Sequence, residues 1–173
     1  MKILLIRPPS TNLYQGYLPL GLAYIAGVLL RNGHEVAVWD LDAERWSARE
    51  VLSRIEEQGG LYCLVGISAL AGDYPYVKWI AGIFKRMHPE TRLVLGGYLA
   101  SALPAFLMER LPLDFLAVGE GEETAVELAA ALEEGSDPGR VKGIYFRDDS
   151  GKIRAASPRE RFGELERLPF PPW

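Results

Sequence analysis

Five short aliphatic runs alternate along this chain with longer segments of helical character, and that alternation restricts the fold more than any other feature. The runs cover residues 2–6, 35–39, 62–67, 92–95 and 115–118. The first carries Ile3-Leu4-Leu5-Ile6, apolar at consecutive positions, as in a strand buried on both faces. Arg7-Pro8-Pro9-Ser10 ends it, because proline cannot donate to a ladder. The segment 19–31 reads as a buried helix stopped by Asn32-Gly33. Ser47 caps a second helix to Gln58, with Glu50 at the capping-box position. Asp73 is the expected N-cap of a third, through Met87. Ser101 opens a fourth to Arg110, with Pro104 in its first turn. The fifth spans 122–134, rich in alanine, leucine and glutamate.

Strands alternating with helices predict an α/β fold. The expected architecture is a five-stranded, parallel, doubly wound sheet in the flavodoxin-like order 2-1-3-4-5, with right-handed crossovers. Past Gly135 the pattern changes. Residues 141–147 and 152–155 flank Asp148-Asp149-Ser150-Gly151 and predict a β-hairpin. The terminal Leu168-Pro169-Phe170-Pro171-Pro172-Trp173 reads as an extended, proline-rich connector. Three parts follow: a Rossmann-like domain over 1–135, a hairpin appendage over 136–163, and a linker over 164–173.

At 173 residues and 49% apolar, the chain can bury a sizeable core. A net charge of −4 argues against a nucleic-acid or anionic-membrane partner. The single cysteine, Cys63, excludes an internal disulfide and a cysteine-held cluster. Lying within the third run, it is expected to be a small buried hydrophobe. The longest apolar stretch, 18–30, is too short to span a bilayer and has no signal-peptide flanks. The expectation is a soluble cytoplasmic protein.

In an open parallel sheet, ligands sit at the carboxyl ends of the strands around the switch point, here between the first and third strands. The loops at that edge are informative. Gly96-Gly97-Tyr98 closes the fourth strand and leaves no side chain where a ligand approaches. Ser68 ends the third strand with a small hydroxyl, followed by Ala69 and Leu70. The first loop has prolines and no G-x-G-x-x-G, and no P-loop occurs anywhere. Gly119-Glu120-Gly121-Glu122 carries carboxylates that favour a helix start and repel phosphate. These loops describe a deep, narrow, largely uncharged slot between strands, suited to a flat heterocycle.

The same residues carry a resemblance. Ile6-Arg7-Pro8-Pro9, then Leu18-Pro19-Leu20-Gly21-Leu22-Ala23-Tyr24-Ile25-Ala26, then Gly33-His34-Glu35-Val36 with Asp40, follow one another in order. Gly66-Ile67-Ser68 with Gly96-Gly97-Tyr98, and Asp114 with Gly119-Glu120-Gly121-Glu122, complete the set. The whole chain resembles the amino-terminal cobalamin-binding domain of cobalamin-dependent radical S-adenosylmethionine enzymes. That resemblance implies a cobalamin tail in the sheet-edge crevice and a corrin ring over the strand ends. Ser68, Ala69, Leu70, Gly96 and Gly97 would line the tail. Leu18, Pro19 and Gly21 would face the corrin. Tyr98, Gly119, Glu120 and Gly121 would border the other side.

Two departures sharpen the expectation. Older cobalamin domains carry an Asp-x-His-x-x-Gly element whose histidine ligates cobalt, and the corresponding loop here has no histidine. His34 and His88 lie where capping or surface roles are expected. No histidine lower ligand is therefore expected and no residue is assigned as a metal ligand; water, no ligand or a nearby side chain stay open for that face, with Arg7, Tyr14 and Tyr17 as unranked candidates. The Cys-x3-Cys-x2-Cys set of an iron–sulfur cluster is also absent. The cluster and S-adenosylmethionine would belong to a radical domain beyond Trp173, and this chain would not be catalytic alone. The resemblance implies methyl transfer by the full enzyme. The alternatives are a cofactor-free docking domain and the amino-terminal half of a glycosyltransferase, in which the run 31–36 also occurs.

Overall fold

The strand β1 (Lys2–Arg7) pairs in parallel with both β2 (Glu35–Asp40) and β3 (Leu64–Ser68), so the chain's first strand lies inside the sheet. The structure is a computed structural model that describes residues 1–9, 18–148, 150–160 and 168–171. Two more parallel strands follow, β4 (Arg92–Gly96) and β5 (Phe115–Ala117). The expected order 2-1-3-4-5 holds. Beyond it, β6 (Ile144–Arg147) and β7 (Ile153–Ala155) form the expected hairpin. The hairpin is continuous with the sheet, because β6 pairs antiparallel with β5 and brings the total to seven strands.

Alternate residues of the strands feed two cores, as the two-residue period of a strand requires. Leu4, Ile6, Val65, Ile67, Leu93 and Leu95 face α3 (Ala48–Gln58), α4 (Tyr74–Met87), α5 (Gly97–Ala102) and α6 (Pro104–Arg110). Ile3, Leu5 and Leu64 face α1 (Leu20–Arg31) and α7 (Glu122–Glu134). Among the described residues, two helices cover this second face, and they matter most for the site.

Several local expectations change. The third strand begins at Leu64, after a 3-10 turn at Gly59–Leu61, and Cys63 just before it is exposed. Tyr62 takes the inward position instead, which turns Cys63 outward. Asp73 does not cap α4 with its side chain; its carboxylate accepts from the Leu70 amide at 2.8 Å and closes the turn before the helix. The fourth helix starts at Gly97 rather than Ser101, breaks at Leu103, and restarts at Pro104. A residue before proline is driven from the α region, which accounts for the break. A one-turn helix, α2 (Leu41–Glu44), follows β2, with the Asp40 carboxylate accepting from the amides of Asp42 and Ala43. The Ser47–Glu50 capping box forms as expected.

Charged residues tie the ends of the sheet together. Arg7 at the end of β1 reaches Asp40 at 3.2 Å and Asp42 at 3.0 Å, with its side chain almost fully buried. Asp114 holds the opposite end, accepting from Leu93 N at 2.8 Å, Lys85 Nζ at 2.7 Å and Arg92 Nη1 at 3.1 Å. Arg159, after the hairpin, folds back onto α7 and pairs with Glu123 and Glu127 while donating to Thr124 Oγ1. Leu168 shares a surface hollow with Val28 and Val126 of α1 and α7. Among the described residues, no helix is long and apolar enough to cross a membrane.

The hairpin turn is organised by Asp148, which accepts from Ser150 N and Lys152 N at 3.0 Å and from Arg154 Nε at 2.8 Å. The Ser150 hydroxyl, and then Arg154, hold its carboxyl well below the usual carboxylate range. A depressed folded-state pKa contributes stability above the unfolded value, lost as pH falls through the folded one. Amide exchange in the hairpin should therefore accelerate below about pH 4 relative to the central strands, and Asp148→Asn should remove that difference. Arg7→Met should lower stability by about 1–3 kcal/mol in denaturant titrations, because it removes the charge-assisted hydrogen bonds that a nearly buried guanidinium makes to Asp40 and Asp42.

Candidate functional site

The uncharged slot exists, but not between strands. β1 and β3 are directly paired, with Leu5 opposite Gly66. The slot lies over the sheet face, roofed by α1 and α7, and opens at the carboxyl edge. Its volume is about 210 Å³. Leu5, Gly66 and Val94 form the floor, and Ile25 and Leu128 line the helix side. Gly21, Ser68, Gly96, Gly97, Gly119, Glu120 and Gly121 stand around it.

A second hollow, of about 280 Å³, lies over the strand ends. Leu18, Pro19, Ala69, Leu70 and Tyr98 line it, together with Arg7 and Asp73. The two spaces meet at Gly21, Leu22, Ser68 and Gly97. All the residues expected at the site thus line one space or the other. Tyr98, 81% exposed, lines the hollow, while Gly119, Glu120 and Gly121 line the slot.

Glycine makes the slot possible in two ways. At Gly97 the backbone adopts φ +82°, and a Cβ would lie 2.8 Å from Ala69 O and 2.9 Å from Ala69 N. This glycine is required by the fold itself, because α5 starts against the end of β3. The hydrogen bonds Ala69 N→Gly96 O and Leu99 N→Ala69 O secure the contact. At Gly96 and Gly21 a Cβ would meet nothing within 4 Å, so what these glycines keep open is space. Gly66 and Gly121 lie between: a Cβ would come 2.9 Å from Leu5 Cδ2 and 3.0 Å from Ile25 Cδ1. Sequence reasoning did not place Gly66 at the site, although a glycine inside a strand marks close approach by another group.

Ser68 is half-buried at the junction of slot and hollow, and among the described residues its hydroxyl has no hydrogen-bond partner. Of the candidates for the cobalt face, Arg7 is committed to Asp40 and Asp42, and Tyr14 and Tyr17 lie outside the described residues. The histidines are at the other end of the sheet. His34 precedes β2 and contacts the N-terminal amine, and His88 ends α4 with Nε2 2.7 Å from Ile55 O. Asp114, part of the ordered motif set, also sits at that amino edge, where its role is structural. Among the described residues, no group of three His, Cys, Asp or Glu could hold a metal ion.

Residues 8–129 match the family of the B12 binding domain. The chain belongs to that family. Membership removes the glycosyltransferase alternative and agrees with a site built on a deep slot rather than a phosphate cradle. The chain is 30% identical, over 99% of its length, to an uncharacterized methyltransferase, PH0819, of Pyrococcus horikoshii. It is 31% identical over 86% of its length to the anaerobic magnesium-protoporphyrin IX monomethyl ester cyclase of Synechocystis. It spans 38% and 31% of those relatives. Among solved structures, the cobalamin-dependent S-adenosylmethionine radical enzyme OxsB with aqua-cobalamin bound has the same fold. It superposes with a TM-score of 0.82 at 19% identity over 98% of this chain and 24% of that one.

The two kinds of glycine separate by experiment. Gly97→Ala should cost about 1–3 kcal/mol of stability from its left-handed backbone alone. Gly96→Ala, at φ −129°, should leave the denaturation midpoint unchanged.

Proposed function

We propose that this chain is the cofactor module of a larger cobalamin-dependent radical S-adenosylmethionine methyltransferase. The nucleotide tail of cobalamin occupies the slot, and the corrin ring lies over the hollow. The observation that carries this reading is the pair of connected spaces meeting at Gly21, Leu22, Ser68 and Gly97: one lies under α1 and α7 and is lined mainly by aliphatic side chains, the other lies over the strand ends. Their positions suit a tail that leaves water and a ring that covers the sheet edge. When bound, cobalamin supplies a cobalt centre able to carry a methyl group or an electron.

The residues have distinct tasks in this reading. Leu5, Val94, Ile25 and Leu128 exclude water from the tail. Gly21 and Gly96 leave it a passage. Ser68 offers its hydroxyl at the turn between tail and ring. Leu18, Leu20 and Tyr98, each at least half exposed, present apolar surface to the ring. No histidine serves the lower cobalt face, since both lie at the amino edge of the sheet. The iron–sulfur cluster, S-adenosylmethionine and the substrate belong to a radical domain joined through the proline-rich segment. The share of the relatives that the chain spans supports that arrangement. The exposed free thiol of Cys63 suits a reducing cytoplasm.

Purified protein mixed with hydroxocobalamin should keep its colour through desalting; a colourless protein fraction overturns the reading. Gly96→Val, which fills open space without backbone strain, should lower the affinity at least tenfold and leave the fold intact. Unchanged affinity in that variant would mean that the tail lies elsewhere. His34→Ala and His88→Ala should leave the visible spectrum of the bound cofactor unchanged.

A further inference from the structure

The slot changes chemical character with depth. Around its mouth stand polar groups: Ser68, Glu120, Glu122 and Thr124. Deeper, toward the amino half of β1 and β3, the lining side chains are aliphatic: Ile3, Leu5, Ile25, Leu29, Leu64 and Val94. The backbone there offers nothing either, because β1, β3 and β4 are paired with one another through Ile3–Leu64 and Gly66–Val94. The Thr124 hydroxyl is already engaged by Arg159 Nε at 2.8 Å. A ring pushed past Gly66 meets a surface with no hydrogen-bond partner.

We propose that the deep half of the slot selects the lower base of the corrinoid, accepting dimethylbenzimidazole and disfavouring adenine, with Leu5, Leu64, Val94 and Ile25 as the specificity-determining residues. The proposal rests on the reading that the tail enters the slot. Its basis is an asymmetry of burial. Dimethylbenzimidazole adds two methyl groups that gain by leaving water. Adenine adds an exocyclic amine and two further ring nitrogens, and each polar group desolvated without a partner weakens binding. Selection arises from the absence of partners, with no steric barrier needed.

Equilibrium titration with three probes tests this: hydroxocobalamin, the otherwise identical corrinoid carrying adenine, and cobinamide, which lacks the nucleotide. Hydroxocobalamin should bind tightest, and the adenine form about tenfold or more weaker. Cobinamide should also bind more weakly than hydroxocobalamin. Equal affinity for the two bases, both well above cobinamide, overturns base selection while the tail reading stands. Equal affinity for all three, or no binding, overturns the tail reading and the selection with it. Val94→Thr adds one hydroxyl to the floor with little change of shape, and should narrow the gap between the two bases. An unchanged gap would remove Val94 from the base subsite.

Discussion

Where Gly97 passes the backbone of Ala69, two strand ends are brought closer than any side chain allows. That approach fixes the start of α5 directly against the end of β3 and places Gly96 and Ser68 on one continuous wall. The slot and the hollow both end at this wall. A bulkier residue would have to move α5 away from β3, and the junction between the two spaces would open. The left-handed φ and the short Cβ distances state the same constraint twice, once as backbone torsion and once as packing.

The remaining geometry follows from an uneven distribution of helices. Among the described residues, α2 to α6 seal one face of the sheet with a large core, whereas α1 and α7 cover the other. These two approach at Gly121 and Ile25, over a floor lowered by Gly66. The space between them is therefore a consequence of small residues at three levels: floor, roof and rim. Ion pairs keep the walls in place from outside. Arg7 joins the ends of β1 and β2, and Arg159 binds the segment after the hairpin to the same helix that roofs the slot. A movement of that segment would be felt at Thr124, which is both Arg159's partner and a slot residue.

Much of this was legible in the chain alone. Consecutive aliphatic residues in β1, the Ser47–Glu50 box and the Gly33 stop are local signals with local causes, and they appear where expected. The glycines and the serine expected at the strand ends line the two spaces, but the sequence could not separate Gly97, which the packing against Ala69 requires, from Gly96, where a Cβ would meet nothing. Cys63 failed because the strand begins at Leu64, two residues later than the apolar run, and Tyr62 takes the inward position ahead of it. The start of α5 failed because Ser101 is a better cap than Gly96 by propensity, and the packing of Gly97 against the end of β3 overrides that. The hairpin was legible as a hairpin, but nothing local specifies that its first strand should extend the main sheet.

The sequence by itself determined the strand–helix alternation and the lack of a glycine-rich phosphate-binding motif, because each depends on residue type over a few neighbouring positions; the sheet order followed only when fold rules were added to that alternation. The tertiary structure alone decided that the slot lies over the sheet face, that Tyr98 and the 119–121 turn serve different spaces, and that Gly97 is kept for packing while Gly96 is kept for room. Those distinctions depend on which atoms meet across separate strands and helices, and nothing local in the sequence carries that information.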